Sequence, residues 1–167
     1  MEQSSDEQLS ALHRYERGLL LKQVQIFDSA LEEFQQAATD PQYARKAHVQ
    51  IGLCLKSIGR YEEAVAAFRQ ALTYPPFSSE ESVPILYPLG RALESLGRYA
   101  ETLEIYRWIR REDPGFLDVA HRIEDLSAGR DPDCQPQRAD QSWVGDMLTS
   151  WRGLLKITSQ HFISLKH

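Results

Sequence analysis

Apolar positions recur three and four residues apart through most of the chain, with polar residues between them. That is the spacing of amphipathic helices, and no stretch shows the strict alternation of a half-buried strand. The pattern predicts an all-α fold with helices near 6–23, 27–38, 42–57, 61–73, 84–95, 99–112 and 115–127. Gly59 and Gly97 close helices and open short turns. Pro84 is acceptable in a first helical turn, whereas Pro88 lies deeper and predicts a kink.

The pattern repeats. Gly18, Ala30, Phe34 and Ala37 return as Gly52, Ala64, Phe68 and Ala71, each 34 residues later. They return again as Gly90, Thr102, Tyr106 and Ile109, each 38 residues further on. Gly59-Arg60-Tyr61 recurs as Gly97-Arg98-Tyr99, and Pro76 recurs as Pro114. The four extra residues of the third copy fit a loop over 77–81. Glycine inside a helix costs about 1 kcal/mol against alanine. Three such glycines in register predict close approach of a second helix. Small Ala30/Ala37 and Ala64/Ala71 line that second helix, and Phe34 and Phe68 fill the space between layers.

This register resembles the tetratricopeptide repeat family. Ile51-Gly52, Leu55, Gly59, Tyr61, Ala64, Phe68, Ala71 and Pro76 carry the likeness best. The three copies span about 11–44, 45–78 and 83–116. The resemblance implies an α-solenoid of three helix-turn-helix repeats. It also implies a concave face, lined by the first helix of each pair, that holds a partner's peptide or helix. Carried over residue by residue, that groove comprises Leu12, Tyr15, Leu19, Lys22, Lys46, Val49, Leu53, Lys56, Tyr87, Arg91 and Glu94. Its four basic residues and one acidic residue suit a ligand with apolar anchors and some carboxylates. Co-chaperones of this family clamp a C-terminal carboxylate with Lys, Asn and Arg. The matching places here hold Tyr15, Leu19, Gln50, Pro84 and Pro88, so that clamp is not expected.

An array of this kind needs a closing element. Phe116, Val119, Ala120, Ile123 and Leu126 form the apolar stripe of a capping helix over 116–126, which ends the repeat domain of residues 1–126. Residues 127–142 contain two Pro and one Gly and almost no apolar side chain, the composition of a flexible linker. Residues 143–167 are apolar again. Trp143, Val144, Met147, Leu148, Trp151, Leu154, Leu155 and Phe162 form the stripe of an amphipathic tail helix. The tail is expected to dock on its own repeats, on a partner or second copy, or on a membrane surface.

Charge separates these regions. Residues 1–126 carry 14 basic and 20 acidic side chains, a net of −6, while residues 143–167 carry three and one, a net of +2. The 167-residue chain is acidic overall, at −5, which argues against a nucleic-acid partner. The longest apolar run is far short of a membrane span, and two cysteines are too few for a disulfide scaffold.

No catalytic constellation stands out. His13, His48, His121, His161 and His167 lack ligand spacing, so no metal and no cofactor is expected. Cys54 reads as a small core residue and Cys134 as an exposed linker thiol. The expected function is therefore a non-catalytic scaffold or adaptor for protein–protein interaction, cytoplasmic or peripheral to a membrane complex. Two alternatives are a secretion-type chaperone built on the same repeat and a structural subunit of a larger membrane-associated complex.

Overall fold

Seven helices follow the expected pattern: α1 (Glu2–Gln23), α2 (Phe27–Ala37), α3 (Pro41–Ser57), α4 (Tyr61–Ala71), α5 (Ser79–Ser95), α6 (Tyr99–Glu112) and α7 (Val119–Ser127). A further helical stretch covers 143–149. The computed structural model describes residues 2–74, 78–129 and 143–149, with side chains from residue 10 onward. Among the described residues every regular element is helical.

The helix starts follow local chemistry. Asp40 caps α3, its Oδ1 accepting the Gln42 N–H at 2.8 Å, with Pro41 in the first turn. Ser78 caps α5 by accepting the Glu81 N–H at 3.2 Å. No side chain caps α4 or α6. There the arginine before the helix turns onto the glutamate three residues on: Arg60 Nε donates to Glu63 at 2.6 Å, and Arg98 Nε to Glu101 at 2.7 Å.

Two expectations are corrected here. Ser79–Glu81 are not loop: the Ser78 cap draws them into α5. Pro84 therefore lies beyond the first turn, and α5 runs on through both Pro84 and Pro88 to Ser95. The capping helix begins at Val119 rather than 115, because Leu117 takes a left-handed φ of 45°. Of its expected stripe, Val119 and Ile123 are buried, Phe116 and Leu126 are half-buried, and Ala120 is exposed.

The chain divides into two compact units, Met1–Pro75 and Pro76–His167. In the first, α1 packs on α2, α2 on α3 and α3 on α4, and α1 also reaches α3. In the second, α5 packs on α6 and α6 on α7. The same device closes every pair. A methyl group built on Gly18 would lie 2.6 Å from the Phe34 ring, one on Gly52 2.7 Å from Phe68, and one on Gly90 2.6 Å from Tyr106. Phe34, Phe68 and Tyr106 are fully buried, as are Ala30, Ala37, Ala64 and Ala71. Glycine is present because the aromatic ring occupies the volume a side chain would need.

The turns after α1, α3 and α5 share one backbone shape. Gly59 and Gly97 have φ of 79° and 71°, and Gln25, 34 residues before Gly59, has 63°. Only the first repeat forces a residue with a Cβ into this left-handed turn.

Candidate interaction surfaces

In the N-terminal unit the residues expected on the first helices of the repeats converge. Tyr15 of α1 tilts against Phe34 and Tyr43, both ring centroids at 5.7 Å. Lys22, in the last turn of α1, donates to Gln50 Oε1 of α3 at 2.7 Å, and Gln50 Nε2 donates to the Tyr15 hydroxyl at 3.5 Å. Gln50 thus ties two helices together through opposite ends of one amide. Around this bridge, Leu12, Val49 and Leu53 are half-buried and Leu19 is exposed. Lys56 is half-buried in the last turn of α3, and Lys46 is exposed. A cation in a last turn also meets the partial negative charge of the helix end. The result is a surface of half-open aliphatic side chains with lysines among them.

In the C-terminal unit Tyr87, Arg91 and Glu94 also come together, but their polar atoms are engaged within the unit. The Tyr87 hydroxyl donates to Asp118 Oδ1 at 2.6 Å. Arg122 of α7 donates through Nη1 to Glu94 at 2.8 Å, and its Nε lies 2.8 Å from Asp118 Oδ2. The buried Tyr106 hydroxyl donates to Glu94 Oε2 at 2.8 Å, and Arg91 Nε stands 3.8 Å from the same oxygen. The Tyr87 hydroxyl, followed by Arg122, holds the Asp118 carboxyl below its ordinary range. Burial first, and then the neighbouring Glu94 charge, push the Tyr106 phenol far up, so it stays a neutral donor. This network joins α5, α6 and α7.

One position shows how the units differ. Lys22, Lys56 and Glu94 are equivalent in the repeat register. The N-terminal unit has a cation there twice, and the C-terminal unit has an anion that captures Arg122.

The start of the tail also lies within the C-terminal unit. Over 143–149, Val144 is fully buried, Leu148 is only 7% exposed, and Trp143 and Met147 are half-buried. Gly145 faces Glu104 of α6, whose carboxylate would be 3.6 Å from an added methyl. On α6, Trp108 is 1% exposed, while its register equivalents Gln36 and Gln70 are exposed. Trp151, Leu154, Leu155, Phe162, Cys134 and Pro76 lie outside the described residues.

The remaining chemistry-bearing groups have structural surroundings. Cys54 is buried; burial raises its thiol pKa, and the nearby Lys22 charge opposes that shift. A thiol so placed is a poor nucleophile. His48 stacks on Tyr74 with centroids 5.9 Å apart, and burial lowers its pKa. Among the described residues no group of three or more His, Cys, Asp and Glu could hold a metal ion. Among them, too, no helix is long and apolar enough to cross a membrane.

Sequence reasoning did not anticipate the Gln50 bridge or the Glu94–Arg122 pair, because neither carries a spacing signal. Trp108 did carry one: it stands where the other two repeats have glutamine. Residues 46–77 match the family model of the tetratricopeptide repeat, one residue inside each end of the second copy in the register. No curated protein matches the chain.

Proposed function

We propose that this tetratricopeptide repeat protein is a non-catalytic adaptor whose N-terminal unit captures a peptide or helix of a partner on α1 and α3. The observation that carries the reading is the Lys22–Gln50–Tyr15 bridge with its half-open aliphatic surroundings. The bridge fixes the relative position of α1 and α3. Leu12, Leu19, Val49 and Leu53 would then supply the apolar contact. Lys22, Lys46 and Lys56 would meet carboxylates of the ligand, giving orientation and a faster encounter more than raw affinity.

In the C-terminal unit, Tyr87, Arg91 and Glu94 would meet a ligand only as part of the network tied to α7. The reading assigns them first to holding that capping helix. The buried Val144 and Leu148 support the view that the tail begins by docking on its own C-terminal unit. The rest of its stripe, Trp151, Leu154, Leu155 and Phe162, would be the part offered to an assembly.

The test is to select peptides from a random display library on the full chain and retest the winners against Lys22→Glu and Leu53→Glu. Affinity should fall about tenfold or more in each, as expected when an apolar anchor or a pairing charge at an interface is reversed. Ala66→Lys, on the exposed side of α4, should leave it unchanged. Winners indifferent to both Lys22 and Leu53 would remove the α1–α3 surface as the binding site.

A further inference from the structure

Arg110 and Arg111 lie three and four residues after Arg107 on α6, and all three are exposed. None of their side chains has a hydrogen-bond or ion-pair partner among the described residues, whereas each of the other arginines there is engaged with a neighbour. The three also line one open cavity of about 450 Å3, together with Glu104 and, from the tail, Leu148 and Thr149. Like charges at this spacing repel. The C-terminal end of α6 favours cations and so accounts for Arg110 and Arg111, but it does not reach Arg107 or explain the cavity. Residues 150–167 contain no Asp or Glu that could neutralise the cluster.

We propose that this cavity is a second binding site, distinct from the α1–α3 surface, and that its occupant is an acidic segment of a partner protein. Two or three carboxylates would pair with the guanidinium groups, which accept carboxylates in a two-pronged geometry that lysine does not offer. An apolar residue of the segment would rest on Leu148. Because Leu148 and Thr149 belong to the tail, binding would also clamp the tail against α6. A protein segment fits better than an anionic bilayer. A flat membrane would press on Glu112, Asp113 and Asp146 as well, all exposed and within two residues in sequence of one that lines the cavity. A peptide confined to the cavity would meet one carboxylate, that of Glu104, against three guanidinium groups.

The test uses the full-length chain and fluorescence anisotropy. The probe is a labelled dodecapeptide of Asp and Glu with one central Leu, and its control is the Asn/Gln counterpart. Phosphatidylcholine vesicles with one-third phosphatidylserine form the third arm. The acidic peptide should bind and the neutral one should not, and affinity should fall as salt rises from about 50 to about 300 mM. The combined Arg107→Gln, Arg110→Gln and Arg111→Gln variant should weaken binding about tenfold or more, with the single variants sharing the loss. Its thermal midpoint should not drop, since the side chains are exposed and mutually repulsive. Gln70→Ala, an exposed change on α4, should leave this binding unchanged, whereas loss of binding in Lys22→Glu with the triple variant unaffected would place the peptide on the α1–α3 surface and overturn the proposal. Equal affinity of the triple variant for the acidic peptide would overturn the proposal. So would vesicle binding that the parent shows and the triple variant loses, because the cluster would then serve a lipid surface. Tighter peptide binding after Asp131→Asn, Asp133→Asn and Asp140→Asn would mean that the linker fills the cavity, and would overturn it too.

Discussion

The N-terminal unit holds two repeats that pack on each other, while the C-terminal unit holds one repeat packed with elements that are not repeats. Their cores differ accordingly. In the first, Phe34 and Phe68 fill the slot beside glycine, with Ala30, Ala37, Ala64 and Ala71 around them. In the second, Tyr106 fills the same slot, and Thr102 and Ile109 replace the alanines. A phenylalanine needs only shape. A buried tyrosine also needs a partner for its hydroxyl, and Glu94 supplies it. Glu94 in turn holds Arg122 and so α7. A repeat facing another repeat can rely on generic apolar packing. A repeat that must hold a cap and a tail uses chain-specific contacts.

The sharpest way to break this contrast is to make α6 resemble α2 and α4. Trp108→Gln restores the residue found at both equivalent positions. It should cost about 3–5 kcal/mol, the range for removing a large buried side chain. Amide exchange over 143–149 should accelerate in the same variant if Trp108 forms part of the tail's seat, and urea unfolding would measure the cost. Unchanged exchange over 143–149 would separate the tail from Trp108.

The glycine slots predict a smaller difference between the units. An added methyl at Gly52 meets three Phe68 ring atoms at 2.7–2.8 Å, whereas at Gly90 only one Tyr106 atom is that close and the others lie at 3.2 and 3.3 Å. Gly52→Ala should therefore destabilise by about 2–3 kcal/mol through overpacking, and Gly90→Ala by about 1 kcal/mol less. Equilibrium unfolding of the two variants would rank them. The reverse order would show that the Glu94 bond makes the Tyr106 ring the stiffer neighbour.

The smallest effect lies within the N-terminal unit. Gly59 and Gln25 share a left-handed turn, and a side chain at Gly59 would meet nothing within 4 Å. Gly59→Ala should lose about 1 kcal/mol from backbone strain alone, and Gln25→Gly should gain about 0.5–1 kcal/mol. Thermal midpoints moving in opposite directions would confirm that the first repeat carries this strain.

Much of this architecture was legible in the residues. Gly18, Gly52 and Gly90 announced the aromatic slot, because only a close neighbour justifies glycine inside a helix. The helices were readable because their periodicity is a local property. The start of α5 was misplaced because Ser78 can cap a helix or sit in a loop with equal ease, and packing decides. The candidate surface was readable as a set of positions, but not as a set of bonds. Lys22, Lys56 and Glu94 share a register, yet only the arrangement of helices shows that Gln50 receives Lys22 while Glu94 receives Arg122.

The sequence by itself determined the all-α class, the three-fold register and the glycine–aromatic contact within each repeat. These follow from spacings of three, four and 34, which each segment carries without reference to the rest. Tertiary structure alone decided which charges pair between helices and which are left open. Glu94 and Arg122 lie 28 residues apart, and many surface charges could have met at similar cost. It also decided that Arg107, Arg110 and Arg111 share a cavity wall with Leu148 of the tail. Periodicity is written along the chain, whereas a charge finds its partner only once separate helices have been brought side by side.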